Sequence, residues 1–386
     1  EYLQKRFGLL SQKTGAALFI ISRLLISAFR LFLVASVLQY FILDAWKIPF
    51  EATVIFSVAL IWLYTKRGGI RTIVYTDVFQ TTFMLAAMLG SVWILMNKLN
   101  YNLTDLIHSE QYQKYSQILF WDDWKDRKNF FKSVLGGMFI AIAMTGLDQD
   151  MMQKNLSCKN IGEAQKNMYF FSVILIIANL LVLTLGALLW IYLGHLGLAA
   201  PERSDQLYAL LAMGHLPLYI GIAFIIGLVA SAYNSADGTL TAMTTTVCMD
   251  FLGFEKEAKY KDEAYKTKIR RRVHILIAIF FAGVIMLFQL INKGSVINEL
   301  FRAAGFTYGP LLGLFAFGLL TRRKLKDQYS ILVCIAAPIV SYFLNAYSVQ
   351  LFNGLTFGFL ILAVNGLLTF AGLWLISEKR KVKSEE

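Results

Sequence analysis

The sequence predicts an all-α polytopic membrane protein, and three observations support this fold class. Hydrophobic residues make up 57% of the 386-residue chain and charged residues only 16%, with a mean hydropathy of +0.56. Apolar segments of about 17 to 25 residues, the helix length that crosses about 30 Å of hydrocarbon, recur along the whole chain. Basic residues are distributed unequally between alternate connecting segments.

Ten apolar segments are predicted to span the membrane. They lie at residues 15–43, 50–66, 73–96, 131–148, 168–194, 216–245, 272–292, 302–320, 328–346 and 354–376. Of the 37 Lys and Arg residues, 25 lie on the side of the chain's first residue and 10 on the other side, with two inside a span. The positive-inside rule therefore predicts that both visible termini are cytoplasmic, in a multi-pass protein of the plasma or inner membrane.

The charge, cysteine and histidine content argues against several function classes. The net charge of +12 comes mainly from connecting segments on the cytoplasmic side, so topology explains it and no nucleic-acid partner is expected. The three cysteines are scattered without a CxxC pair, and the four histidines lack metal-ligand spacing. No nucleophile and base occur together within a span, so the protein is not expected to be an enzyme.

A polar stretch, SAYNSADGTLTAMTTT at residues 231–246, interrupts an apolar segment. At 100° per residue, one helical face within an arc of about 120° carries Ser231, Asn234, Ser235, Gly238, Thr241 and Thr245, with Asp237 beside it. Hydroxyl, amide and carboxylate oxygens together suit a hard cation such as Na⁺. We favour an ion site for Ser231, Asn234, Ser235 and Asp237. For the threonines we favour hydrogen bonds to carbonyls of their own helix, or contacts with neighbouring helices.

Two further segments carry carboxylates next to apolar runs. Asp77 and Gln80 lie one turn apart where the third span begins, which suits either a cation site or an interfacial cap among nearby basic residues. The fourth span loses its apolar character at Gly146 and is followed at once by Asp148 and Gln149. This pattern fits a helix interrupted at membrane depth, where transporters hold substrates, and fits an ordinary helix end equally well.

The first span contains two arginines, Arg23 and Arg30. Arg23 lies about two turns from the start of the span, within reach of the cytoplasmic surface. Arg30 lies near the middle, where an uncompensated charge is costly, so it requires a carboxylate partner. Asp77 is one candidate within the protein and an anionic substrate is the other, and the sequence leaves both open.

Five motifs, taken in order, resemble those of the sodium/solute symporter family, which includes sodium-coupled carriers of sugars, proline, pantothenate and sialic acid. They are EYLQKRFG at 1–8, GGIRTIVYTDVFQ at 68–80, GLDQDMMQKNLSCKN at 146–160, LVASAYNSADGTLTAMTTTVCMD at 228–250 and AAGFTYGPLLG at 303–313. The resemblance implies a five-plus-five inverted-repeat transporter fold. Residues 14–98 are then the remainder of the first repeat, 131–320 the second repeat and 328–376 two accessory helices. Core helices one and two have no counterpart here, so the natural protein is expected to be longer at its N-terminus.

The resemblance also implies where ligands bind. A primary sodium site would use Ser231, Asn234 and Ser235, and a second sodium site would use Asp77, Asn234, Asp237 and Gly238. The sequence departs from the family pattern here, because serines are usual near positions 234, 237 and 238. The carboxylate of Asp237 would either strengthen the second site or be the counter-charge of Arg30, and both roles stay open. Arg30 resembles an arginine that carboxylate-recognising members place in the third core helix. Asp148 and Gln149 fall where the broken sixth helix faces substrate.

These features predict a secondary active transporter that couples Na⁺ to the symport of a small organic solute across the lipid bilayer. Arg30 favours an acidic sugar, for which sialic acid is one candidate, or another organic anion. A neutral sugar or polyol is the alternative substrate, and H⁺ is the alternative coupling ion, carried by Asp77 or Asp237. A membrane sensor that reports ligand occupancy on the same fold is the alternative function.

Overall fold

A computed structural model of the protein describes residues 2–65, 70–147, 158–254, 262–291 and 296–378, excluding the side chains at 64, 65, 70–77, 234 and 291. The long or apolar helices are α2 (Leu9–Leu38), α3 (Phe50–Thr65), α4 (Ile70–Lys98), α7 (Phe130–Ala141), α8 (Ile161–His195), α10 (Leu218–Thr246), α11 (Glu263–Ile291), α12 (Val296–Leu320), α13 (Ser330–Ala346) and α15 (Ile361–Leu375). Shorter helices lie between them: α1 (Tyr2–Arg6), α5 (Leu103–His108), α6 (Glu110–Tyr115), α9 (Leu207–Gly214) and α14 (Ser348–Leu351). Two short strands, β1 (Lys324–Leu325) and β2 (Ser377–Glu378), pair antiparallel with Lys324 opposite Glu378.

Each of the ten predicted spans coincides with one apolar helix in the described part of the chain. Among the described residues, eight helices are long and apolar enough to cross a membrane, and two shorter apolar helices are Phe50–Leu63 and Phe130–Gly146. The protein is therefore a multi-pass, all-helical membrane protein. Within the described residues, α2, α7 and α10 each continue into a π-helical turn, at Gln39–Leu43, Ile142–Gly146 and Val247–Phe251.

Helices α2 and α12 form the centre of the bundle. In the most apolar window of each, 56% of residues are buried, against 22–28% in α4, α8, α10, α11 and α13. Helix α2 packs against α3, α10, α11 and α12, and its side chains Phe29, Leu31 and Phe32 lie in the main hydrophobic core. Helix α12 packs mainly against α2 and α15. The remaining helices surround this pair and present apolar side chains outward, as expected of surfaces that face lipid.

The end of α2 that follows the EYLQKRFG motif is held by a residue more than 300 positions away. The carboxylate of Asp327 accepts hydrogen bonds from the backbone N–H groups of Leu10 (2.9 Å) and Ser11 (2.7 Å) and from the Ser11 hydroxyl (2.6 Å). These N–H groups lie in the first turn, where the helix has no internal acceptors and where negative charge is favoured. A side chain at Gly8, which has φ of 140°, would collide with Asp327 at 2.3 Å. The motif's glycine therefore permits the cap.

The arginine of the same motif performs the reciprocal role at the end of α12. Arg6 donates from Nε to the carbonyl of Gly318 (3.2 Å) and from Nη2 to the carbonyl of Thr321 (2.6 Å). Carbonyl groups in the last turn of a helix lack internal donors, and a positive charge is favoured there. Phe7 adds an aromatic contact with Phe317, 5.9 Å between ring centroids. The motif thus joins the start of α2 to the end of α12.

A proline inside α12 is compensated by α15. Pro310 has no N–H, so the carbonyl of Phe306, four residues earlier, loses its helical donor. The buried side chain of Asn365 donates from Nδ2 to the carbonyls of Phe306 (2.9 Å) and Gly305 (3.1 Å). Helix α15 therefore satisfies the backbone of the central helix α12, which matters because the hydrocarbon offers no water as an alternative partner.

We predict that Asp327→Asn lowers the stability of the protein. The substitution removes the charge at the α2 N-terminus and replaces one acceptor with an amide donor facing backbone N–H groups, at a cost of about 1–2 kcal/mol. Thermal unfolding in detergent, followed by thiol labelling of the buried cysteines, should show a midpoint lower by about 2–5 °C. Asp122→Asn, in an exposed connecting segment, is the matched control and should leave the midpoint unchanged. If the unfolding midpoint of Asp327→Asn equals that of Asp122→Asn and of the wild type, the cap does not contribute to stability.

Candidate ion and solute site

The polar stretch 231–246 lies entirely within α10, which packs against α2 and α4. Two threonines follow the prediction for hydroxyls that bond within their own helix. Thr239 donates to the carbonyl of Ser235 (2.9 Å) and Thr244 to that of Leu240 (2.6 Å). Since both hydroxyls have local acceptors, they do not require an ion to satisfy them.

Helix α2 meets the stripe with two polar side chains. Ser27, which is buried, shares a hydrogen bond between its hydroxyl and that of Thr239. One turn further along α2, Arg30 donates from Nη1 to the hydroxyl of Ser235, 3.2 Å away, and its side chain is exposed. The structure therefore brings the arginine predicted for substrate into contact with a serine predicted for sodium.

Asp237, the single carboxylate in the sequence of the stripe, is deeply buried. Only 2% of its surface is exposed, and its Oδ1 accepts a hydrogen bond from the hydroxyl of Thr241 at 3.4 Å. A buried carboxylate is costly unless it is hydrogen-bonded or paired with a cation. Its neighbours Ser231, Ser235 and Gly238 are only partly buried. The stripe therefore combines a buried anionic group with accessible oxygen ligands.

The packing of α4 against α10 determines which residue of α10 lies at the same height in the bundle as the backbone of Asp77. The two helices run antiparallel: Gly90 faces Ile220, and Gly227 approaches the Met84 backbone so closely that a Cβ would lie 3.0 Å from its Cα. Seven residues before Met84 and seven after Gly227 cover the same rise, about 10 Å. This register places the backbone of Asp77 level with position 234 in the stripe, on the side of α10 that faces α4. The side chains of Asp77 and Asn234 lie outside the described residues.

The predicted substrate residues Asp148 and Gln149 also lie outside the described residues. The structure describes the segment that leads to them: α7 ends at Ala141, a π-helical turn covers Ile142–Gly146, and Leu147 follows outside the helix. Single π turns within helices occur frequently at functional sites. The predicted loss of regular helix at Gly146 agrees with this course of the chain, while its depth in the membrane stays a prediction.

Sequence reasoning missed two contributors to this region. Ser27 lies three residues before Arg30, so both occupy one face of α2, and this spacing was the available signal. Thr241 was interpreted as a helix-packing threonine, whereas its hydroxyl contacts the carboxylate of Asp237. Neither contact follows from hydropathy, because a single hydroxyl changes it little.

Comparisons with known proteins identify the family of the chain. A model of the sodium:solute symporter family matches residues 1–365. The sodium-coupled monocarboxylate transporter 1 of Xenopus laevis is 26% identical over 330 residues, covering 83% of this chain and 51% of that protein. The sodium/sialic acid symporter NanT of Aliivibrio fischeri (strain ATCC 700601 / ES114) is 23% identical over 376 residues, covering 96% of this chain and 72% of that protein. These relatives are transporters rather than enzymes.

Among solved structures, a Na⁺-coupled sialic acid symporter in a substrate-bound outward-open state has a similar fold. The TM-score is 0.78 at 17% sequence identity, covering 98% of this chain and 78% of the other. This likeness confirms the predicted all-α polytopic transporter fold. The chain spans about half the length of the curated monocarboxylate transporters that it matches.

We predict that Thr239→Val weakens the contact between α2 and α10. Valine keeps the shape of the side chain but removes the hydroxyl that bonds to Ser27, which should cost about 0.5–2 kcal/mol within a helix bundle. Thermal unfolding should show this loss, whereas Thr245→Val, at an exposed position of the same helix, should not. In a double-mutant cycle with Ser27→Ala, the two losses should not add. Additive losses would mean that the two hydroxyls do not interact.

Proposed function

Because the chain belongs to the sodium:solute symporter family, we propose that the protein couples Na⁺ to the inward symport of a small organic anion. The single observation that carries the proposal is the contact between Arg30 and Ser235, which joins a cationic, exposed side chain to the polar stripe of α10. The anionic solute is supported by Arg30 and by relatives named for sialic acid, monocarboxylates and iodide. An acidic sugar such as sialic acid is our first candidate.

In this proposal the stripe provides the sodium ligands. Ser231, Asn234 and Ser235 contribute to a primary site, and Asp77, Asn234, Asp237 and Gly238 to a second site. The buried carboxylate of Asp237 supplies negative charge, and the register of α4 brings the Asp77 backbone to the same level of the bundle. Residues 14–98 and 131–320 belong to the two repeats of the transporter, and residues 328–376 to the accessory helices.

Arg30 provides a physical link between solute and ion. Its guanidinium already donates to the hydroxyl of Ser235, so a sodium ion bound to that oxygen would lie near a positive charge. Two unit charges about 5 Å apart repel by about 3 kcal/mol at an effective dielectric constant of 20. A carboxylate of the solute that pairs with Arg30 neutralises this repulsion and frees an acceptor position on Ser235. Solute and sodium then strengthen each other's binding, as linkage requires of coupled sites.

The remaining roles rest on the resemblance to the family and on the distribution of basic residues. Asp148 and Gln149 complete the solute site at the end of the interrupted fourth span. The protein lies in the plasma or inner membrane, with residue 1 and residue 386 on the cytoplasmic side, as the distribution of basic residues indicates.

We expect ²²Na⁺ binding to depend on the stripe. In the protein expressed at its natural length, Ser235→Ala and Asp237→Asn should each weaken Na⁺ binding by about tenfold or more, because each removes an oxygen ligand or its charge. Thr244→Val is the matched control, since that hydroxyl is satisfied by the carbonyl of Leu240. Unchanged binding in both test variants would assign the stripe to helix packing alone. Uptake that changes with pH at a fixed Na⁺ concentration, and does not change with Na⁺ at a fixed pH, would show that protons are the coupling ion in place of sodium.

We expect Arg30→Gln to alter solute recognition and coupling together. The variant should bind a carboxylated sugar about tenfold or more weakly, because it loses a charge-assisted hydrogen bond, and its affinity for neutral sugars should not change. Its Na⁺ affinity should no longer rise when the carboxylated sugar is added, as measured by isothermal titration calorimetry. Equal loss for charged and neutral sugars would exclude direct recognition of the solute carboxylate. A wild-type protein that binds only neutral sugars would support the alternative substrate class.

A further inference from the structure

An apolar groove lies on the outside of the bundle between α3 and α11. Its volume is about 590 Å³, within the range of sites that hold small ligands, and all of its lining side chains are apolar. Ile55 of α3 and Ile279 of α11 form its rims and are 56% and 65% exposed. Ala282 and Gly283 of α11 contribute its small side chains, so the groove exists because bulky residues flank small ones. Its described lining residues include none from the polar stripe, and its rims are exposed on the outside of the bundle.

The groove has the length of one leaflet. On α11 its lining extends from Ile275 to Met286, which corresponds to about 16 Å at 1.5 Å per residue. The hydrocarbon core of a bilayer is about 30 Å thick, so each leaflet contributes about 15 Å. On α3 the groove ends at Trp62, near the end of that helix. The groove therefore runs beside the acyl chains of a single leaflet.

Three basic side chains lie directly beyond one end of the groove. Lys268, Arg271 and Arg272 precede Ile275 by seven, four and three residues, so helical periodicity places them on the same face of α11 as the groove. All three are exposed. They lie at the level where the apolar part of the helix begins, which is the level of lipid headgroups. The basic side chains and the apolar groove therefore follow one another along α11 in the same order as the phosphate and the acyl chain of a phospholipid.

We propose that this groove binds one acyl chain of an anionic phospholipid, whose headgroup pairs with Arg271 and Arg272. Basic side chains at the membrane surface attract anionic headgroups, and basic pockets beside spanning helices select them over zwitterionic ones. The apolar lining excludes the polar partners that a soluble ligand would require. Because the groove lies between α3 and α11, which both pack against α2 and α10, the lipid contacts the helices that support the polar stripe. The inference does not depend on sodium coupling.

Trp62 makes the proposal testable by fluorescence, because it lines the groove. The protein is reconstituted in bilayers that contain phosphatidylglycerol or phosphatidylcholine with brominated acyl chains, which quench tryptophan on contact. The difference between the wild type and Trp62→Phe isolates the signal of this one side chain. We expect brominated phosphatidylglycerol to quench Trp62 at a lipid fraction about tenfold lower than brominated phosphatidylcholine does.

Two pairs of variants separate the apolar and the charged parts of the site. Gly283→Leu should abolish selective quenching, since a side chain there enters open space within the groove; Gly186→Leu, at a similarly open position of α8, is its control. Arg271→Gln combined with Arg272→Gln should raise the half-quenching fraction of phosphatidylglycerol about tenfold. Arg322→Gln combined with Lys324→Gln removes equal charge from another exposed segment and should change nothing.

Several outcomes would overturn the proposal. Equal quenching by the two lipids would indicate ordinary surrounding lipid without headgroup selection. Failure of both lipids to quench Trp62 would mean that another part of the protein or a second copy covers the groove. Undiminished selectivity in Gly283→Leu, shown to be folded by size-exclusion chromatography and by an unchanged unfolding midpoint, would place the lipid elsewhere. Native mass spectrometry of the same variants provides a second measurement, in which wild type should retain phosphatidylglycerol and Gly283→Leu should lose it.

Discussion

The contact between α2 and α10 is the constraint on which the rest of the structure depends. Both helices carry polar groups at a depth where the surrounding hydrocarbon provides no hydrogen-bond partners, so the groups must satisfy one another. Ser27 and Arg30 of α2 meet Thr239 and Ser235 of α10, in an antiparallel register that any sliding of the helices would break. Of these two contacts, the one between Arg30 and Ser235 involves residues of the proposed ion and solute site.

The first turn of α2, one of the two central helices, is fixed by contacts with distant parts of the chain. Asp327 caps its first turn from the connection before α13, and Arg6 binds the end of α12 from the segment before α2. Each contact joins parts of the chain more than 300 residues apart. Asn365, which compensates Pro310, stabilises α12 in the same way from the opposite face.

The apolar groove is lined by helices that also pack against the helices of the proposed ion and solute site. Helices α3 and α11 line the apolar groove on their outer side and pack against α2 and α10 on their inner side. Since protein interiors are close-packed, an occupant of the groove affects how closely α3 and α11 approach each other. The proposed lipid would then act on the supporting helices without entering the ion and solute site.

The sequence by itself determined the all-helical membrane class and the position of the ten apolar helices, because burial in hydrocarbon requires long apolar runs and hydropathy records them directly. It also located the polar stripe, since Ser231, Ser235 and Gly238 share one helical face whatever surrounds the helix. Only the tertiary structure decided which residues meet: Asp327 with the start of α2, Arg6 with the end of α12, and Arg30 with Ser235. These pairs are far apart in the chain, and periodicity describes the face of a helix but not the neighbour that covers it.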